Sequence, residues 1–273
     1  MDMISASMLG FGAALIASGA LAGFLAGLFG IGGGAILVPI LVTILTEVGV
    51  DPDAVVHISV ASSLGVIVPT SLRSFFAHKK KGAVDLSLLK SWIIPVPIGV
   101  LLASYVAALV SGDTLKGIFA VIAFVVAMRM LFNRESWKLG SDIPGNPVRA
   151  LIGVMIGFFS TLMGIGGGVM NNTFMTLFGR PIHQAVATSS GVGVLISIPA
   201  VFGMVAAGWG APNLPPFSVG YINLLAIALI IPITIYVAPL GAHFAHNLPK
   251  RKLELAFGVF LLIACARFAY SLL

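Results

Sequence analysis

Charge is the scarcest commodity in this chain: Asp, Glu, Lys and Arg together make up 9% of its 273 residues, while 59% are hydrophobic. A typical soluble domain carries about 25% charged residues. From 3 to 46, and again from 181 to 249, there is no Asp, Glu, Lys or Arg at all. Runs of that length cannot be closed off by a water-facing surface, so a soluble globular protein is excluded and transmembrane helices are expected. Cysteine is almost absent too. The single Cys265 excludes an intramolecular disulfide and a cysteine metal cluster, and reads as a small packing residue. There is no pair of catalytic carboxylates, no metal-ligand cluster and no nucleophile–base–acid set, so neither an enzyme nor a cofactor is expected. The opening MDMISAS has no basic residue ahead of the apolar run, so no cleaved signal peptide is expected. The net charge of +6 does not indicate nucleic acid, because the basic residues sit in short loops between apolar runs.

What the chain does have is glycine, and one arrangement of it occurs twice. The stretch 27–39, GLFGIGGGAILVP, is echoed by 161–173, TLMGIGGGVMNNT, at an offset of 134. Aligning 19–34 on 153–168 gives nine identities in sixteen positions. Further along, the VASS at 60–63 meets the VATS at 186–189, His57 meets His183 and Gly82 meets Gly208; near the ends Phe119 meets Phe257 and Arg129 meets Arg267. An ordered series of this kind is an internal duplication. We divide the chain into a first repeat (1–133), a linker (134–148) and a second repeat (149–273).

The apolar runs predict spans near 8–29, 54–76, 86–110 and 115–133, then 149–165, 184–206, 218–246 and 252–272. Between them lie segments at 34–46 and 168–178 that are too short to cross the hydrocarbon, since 13 residues of helix rise only about 20 Å. Nine of the fifteen Lys and Arg fall in 73–90 and 129–149, which places those loops and the linker in the cytoplasm. The loop 47–53, with Glu47, Asp51 and Asp53, belongs outside. In the second repeat the bias is reversed, so the repeats are inverted about an axis in the membrane plane. The fold class expected is an all-α polytopic membrane protein. It has two inverted repeats of five helical segments, a glycine-broken helical hairpin in each, and both termini outside.

Inverted repeats with one short, broken helix apiece point to a midplane site in a secondary transporter. Helices starting at Gly34 and Gly168 would aim unpaired N–H groups at an anion there. Gly32, Gly33, Gly34, Gly166, Gly167 and Gly168 would let the backbone come close to it. Upstream, Gly19, Gly23, Gly153 and Gly157 have the four-residue spacing of helix packing. The hydroxyls of Ser62 and Ser63, with Ser59, face Thr188, Ser189 and Ser190 in the repeat. They suit anion binding and interhelical or i−4 hydrogen bonding equally. Asn171 and Asn172 stand where the first repeat has Leu37 and Val38, and two amides in an apolar segment need partners. Arg129 and Arg267, near span ends, read first as snorkelling side chains, with anion contact the lesser reading. A nucleotide site is excluded, because no GK[ST] follows the glycines.

At these residues the chain resembles the TauE/SafE family of membrane anion transporters, also called the sulfite exporter family. The resemblance rests on 27–39, on LMGIGGG at 162–168, on VASSL at 60–64 and AVATSS at 185–190, and on His78 with Gly82-Ala83-Val84-Asp85. It implies movement of sulfur-containing oxyanions or organosulfonates of the sulfite, sulfoacetate and thiosulfate class. One departure stands out: Thr173 occupies the place of Pro39. The expectation is a multi-pass protein of the plasma (inner) membrane whose partners are a small anion and the lipid bilayer. It would work by alternating access, with a proton or sodium as candidate coupling ions. An anion channel through the same hairpins is the alternative.

Overall fold

The computed structural model describes residues 12–13, 15–25, 34–132, 138–246 and 249–272. Gly32 and Gly33 lie outside the described residues. Among the described residues the chain forms eleven helices and one two-stranded ribbon. In order they are α1 (Leu15–Leu25), α2 (Gly34–Glu47), α3 (Pro52–Lys80), α4 (Leu86–Ser91), α5 (Pro95–Leu109) and α6 (Gly112–Phe132). There follow α7 (Val148–Leu162), α8 (Gly168–Leu177), α9 (Ile182–Ala207), β1 (Ser218–Val219), β2 (Ile222–Asn223), α10 (Leu224–His246) and α11 (Lys250–Tyr270). Four of them, α3, α6, α9 and α11, are long and apolar enough to cross a membrane, and the protein is an all-α, multi-pass integral membrane protein. The short segments begin where the glycines end, at Gly34 and Gly168.

Two expected spans are subdivided. The run 86–110 is broken at 92–94, because Pro95 and Pro97 follow and neither has an N–H to donate back to the preceding turn, so α5 starts afresh with Pro95 at its first position. Trp92 anchors the break, fully buried, with its Nε1 donating to the Arg149 carbonyl at 3.0 Å. The run 218–246 opens with the β1–β2 ribbon, which turns at Gly220 (φ 55°) and leads into α10 at Leu224.

Packing follows the small residues. Without a hydrophobic drive between helices in lipid, close backbone approach is what holds them together. A Cβ on Gly157 would lie 2.2 Å from the Val96 carbonyl oxygen, and one on Gly99 would lie 2.0 Å from that of Val154, so α7 is pressed onto α5. The same contact recurs between α1 and α10, where Gly23 faces Thr234 and Gly19 faces Ile230. Each repeat's opening helix thus packs on the other repeat's helix. At the centre α3 lies along α9, with Gly193 against Ser71. In the most apolar stretch of α3, 78% of the residues are buried, against 28% in α6 and in α11. The outer pair, joined by Phe119 on Phe268 (ring centroids 5.0 Å apart), therefore presents Val121, Phe124, Val125, Val259 and Ile263 to lipid.

Loops sort onto two faces. Asp51 of the acidic loop accepts from Asn213 Nδ2 at 2.9 Å, which joins 47–53 to 208–217. On the other face Arg180 pairs with Asp142 at 2.7 Å, and the Leu139 amide donates to the Leu177 carbonyl, so the described part of the linker clasps the end of α8.

Candidate functional site

The second glycine break is a helix stop and a helix start placed back to back. α7 ends in a pair of reverse bonds, Ile165 N to Ser160 O at 2.8 Å and Gly164 N to Thr161 O at 2.9 Å, with Gly164 left-handed at φ 64°. That is a Schellman ending, for which glycine is the preferred residue. Gly167, also left-handed at φ 73°, then caps α8 with no side-chain bond. The helix therefore starts inside the protein with bare backbone at its cap and first residue. Gly166, Gly167 and Gly168 are all buried.

The start of α2 meets this break directly. A Cβ on Gly34 would lie 2.3 Å from the Gly164 carbonyl oxygen and 2.9 Å from Ile165 Cα. Ile67 of α3 is wedged beside both, 2.8 Å from a Cβ built on Gly34 and 2.8 Å from one on Gly166. Gly167 is likewise hemmed in by Val192 and Ile196 of α9. The two short helices thus begin beside one another, walled by α3 and α9.

The hydroxyl cluster divides into three uses. Ser59 and Ser190 bond back to their own helix, to the carbonyls of Val55 (2.7 Å) and Ala187 (2.5 Å). Ser62 and Thr188 accept from backbone amides of the opposite repeat: Asn223 N at 3.1 Å and Asp85 N at 2.9 Å. These two contacts are equivalent. Asn223 Oδ1 caps α10 by accepting from Ala226 N (2.8 Å), just as Asp85 Oδ1 caps α4 by accepting from Leu88 N (3.0 Å). The counterpart of Gly82 (φ 68°) is accordingly Gly220 (φ 55°), three residues before the cap, and not Gly208. The Asp85/Asn223 pair escaped the sequence reading, although a small polar residue three positions after a glycine, in both repeats, was the available signal. The third use separates the two remaining serines. Ser63 donates to the Gly164 carbonyl at 2.9 Å, tying α3 to the glycine break. Its repeat mate Ser189 instead accepts from Asn171 Nδ2 and donates to Asn172 Oδ1, both at 2.7 Å.

Asn171 is fully buried, and its Oδ1 has no hydrogen-bond partner among the described residues. Ser189 gives its one proton to Asn172, and Asn171 turns its amide nitrogen to Ser189 and to the Met175 sulfur (3.4 Å), which leaves its oxygen unpaired. A buried unpaired carbonyl costs about 1–3 kcal/mol. An acceptor of this kind, one turn into α8, is what a ligand proton or an interior water would satisfy.

Arg129 departs from the snorkelling expectation. Its Nη1 donates to Thr173 Oγ1 at 2.5 Å and the side chain is half-buried, drawn inward because Thr173 offers an acceptor where Pro39 offers none. Arg267 is exposed, as a snorkelling arginine is. The histidine pair is unequal as well: His183 is exposed, whereas His57 is buried. The His57 ring nitrogens lie 3.0 Å from the Asp53 and Ala107 carbonyl oxygens, and its face stacks on Tyr221. It staples α3 to the end of α5. In the outer loops, the Asn213 amide and then the Asp53 backbone N–H hold the Asp51 carboxyl below its usual range, outweighing a small opposing effect of burial.

Known proteins agree with this picture of a membrane transporter. Residues 7–268 match the family model described as sulfite exporter TauE/SafE. A probable membrane transporter protein of Haemophilus influenzae is 32% identical over 246 residues, covering 90% of this chain and 93% of that protein. Another, from Methanocaldococcus jannaschii, is 30% identical over 249 residues, covering 88% and 89%. No solved structure matches. These relatives are transporters by name and none is named as an enzyme. From the duplicated glycine break through to α11, this chain belongs to the sulfite exporter TauE/SafE family.

Proposed function

We propose that this membrane transporter is a secondary carrier of small anions of the sulfite, sulfoacetate and thiosulfate class. It would work in the plasma membrane by alternating access around one midplane site between the glycine breaks. The observation that carries the reading is the start of α2 at the second glycine break: α2 begins at Gly34 against Gly164 and Ile165, a few residues from the start of α8. Two helix starts directed at one place sum their positive ends there. Non-helical backbone at membrane depth is tolerated only inside protein or beside a polar cavity. In this reading Gly32, Gly33, Gly34, Gly166, Gly167 and Gly168 supply backbone donors. Ser63 and Ser189 position the two breaks, and Asn171 and Asn172 read substrate identity. Ser62, Thr188 and Ser190 hold the supporting frame.

The paired latches Ser62–Asn223 and Thr188–Asp85, together with the crossed α1–α10 and α7–α5 contacts, support inverted repeats bounded at 1–133 and 149–273. Ile67, wedged beside Gly34 and Gly166, supports a carrier that must rearrange to pass its substrate over an open anion channel.

Uptake into proteoliposomes tests the proposal with sulfite, thiosulfate, sulfoacetate and sulfate. Saturable flux accelerated by the same anion on the far side is expected. Ohmic single-channel current would sink the carrier mechanism, and absence of flux for every anion would sink the substrate class.

A further inference from the structure

The neighbours of Arg129 account for only part of its charge. It could serve as the cap of α6, but the last carbonyls of that helix are already taken: Arg251 donates to Met130 O at 2.8 Å and also to Leu131 O. Glu254 acts on Arg129 electrostatically, but that single carboxylate is shared with Arg251, which reaches it at 3.5 Å. Arg129 could snorkel, as exposed Arg267 does, yet it turns inward. Among the described residues its one hydrogen bond goes to the neutral hydroxyl of Thr173, on the polar side of α8 that also carries Asn172. With two arginines around one glutamate, this corner of the molecule is net positive. An arginine inside a membrane protein marks an ion or substrate path by default, and a guanidinium is the side chain whose planar fork matches an oxyanion.

Resting on the carrier reading above, we propose that Arg129 is a substrate-binding residue on the linker side of the α8 hairpin. Its guanidinium is parked on Thr173 in this conformation and exchanges that hydroxyl for the oxyanion head group as substrate passes between the α8 site and the linker face. Thr173 is a placeholder of suitable strength. A neutral hydroxyl holds the cation in position, yet gives way to an oxyanion, which adds charge–charge attraction and can take two N–H donors of the guanidinium fork at once. The first repeat has no counterpart, since Pro39 offers no acceptor and Arg267 is exposed.

The test is a KM-against-kcat comparison for sulfite uptake in proteoliposomes, backed by calorimetric titration of sulfite into the detergent-purified full chain. Arg129→Gln should raise KM at least about ten-fold, Arg129→Lys should raise it less, and Thr173→Val should leave it within about two-fold. Arg267→Gln should change nothing. If the Arg129–Thr173 bond were merely structural, Thr173→Val would damage transport as much as Arg129→Gln; equal damage, or an unchanged KM in Arg129→Gln, overturns the proposal. Should Arg129→Gln not survive purification, the other two substitutions decide: KM must rise about three-fold in Arg129→Lys and not in Thr173→Val. Wild-type protein that neither takes up nor binds any of the four anions removes the carrier reading and this one with it. Normal wild-type uptake with an insensitive Arg129 removes only this one.

Discussion

The two short helices, α2 and α8, descend from one motif and have become different objects. Both begin at the third glycine of a triplet, and both are too short to span. From there α2 reads GAILVPILVTILTE, with no polar side chain until Thr43, and its first six residues are all buried. α8 reads GVMNNTFMTL and places three consecutive polar side chains in its middle. The partners differ accordingly. Ser63 of the first repeat serves backbone, at the Gly164 carbonyl, whereas Ser189 of the second serves the amides of Asn171 and Asn172. A duplication therefore kept a helix start at the third glycine in both copies and concentrated side-chain chemistry in one. The lesson is a division of labour: a shared backbone cradle can be symmetric, but an asymmetric substrate needs its identity read from one side.

The largest effects should come from breaking what the two helices share. Gly34→Leu puts a side chain where the Gly164 carbonyl lies, and Gly167→Leu adds left-handed strain of about 1–3 kcal/mol to a collision with Val192 and Ile196. Each should cut proteoliposome uptake by about 100-fold or more, roughly 3 kcal/mol of lost transition-state stabilisation, while the protein still inserts. Intact flux in either variant would show that only one break forms the site.

Exchanging the residues that distinguish the helices should give opposite signs. Asn171→Leu installs the first repeat's residue and removes an unpaired buried carbonyl, so melting in detergent should show equal or higher stability, while uptake falls about ten-fold or more. Leu37→Asn buries an amide without partners and should cost about 1–3 kcal/mol. An Asn171→Leu protein that transports normally would remove Asn171 from the site.

A milder pair sharpens the comparison. Ser63→Ala and Ser189→Ala each delete about 1 kcal/mol of hydrogen bonding. Only Ser189→Ala frees both amides of α8, so only it should change the ranking of anions by KM.

The smallest effect is expected at the two latches. Asn223 is neutral and buried, whereas Asp85 is half-buried and titratable. Burial pushes the Asp85 carboxyl up, but the Ser87 hydroxyl, the Leu88 amide and Arg180 together bring it below its usual value. A depressed carboxyl contributes stability that is present above its unfolded value, about 3.9, and is lost as pH falls through the lower folded value. Melting followed from pH 6 down to about pH 3 should therefore fall less steeply in Asp85→Asn than in wild type.

Much of this was legible in the chain because it is written in local, additive signals. Absence of charge between 181 and 249 requires membrane burial whatever the neighbours are, and the helix starts at Gly34 and Gly168 follow from the conformational demands of glycine. Gly153 and Gly157 could be assigned to packing from their spacing, and Val96 and Trp92 are what they pack on. The breaks at 92–94 and at 218–223 were hidden inside apolar runs, because hydropathy averages over a proline or a two-residue ribbon. Arg129 was misread for another reason. Snorkelling assumes lipid beside the helix, and its real neighbour, Thr173, lies 44 positions away in the other repeat.

By itself, then, the sequence determined the solvent this protein lives in, the doubling of its motif and the starts of its two short helices, since burial of apolar length and backbone strain act through residues close in the chain. The tertiary structure alone decided which of two matched residues turns inward. Whether a hydroxyl serves a backbone carbonyl or an amide, and whether an arginine meets lipid or α8, depends on side chains brought within 3 Å by packing between repeats, and no local signal encodes that distance.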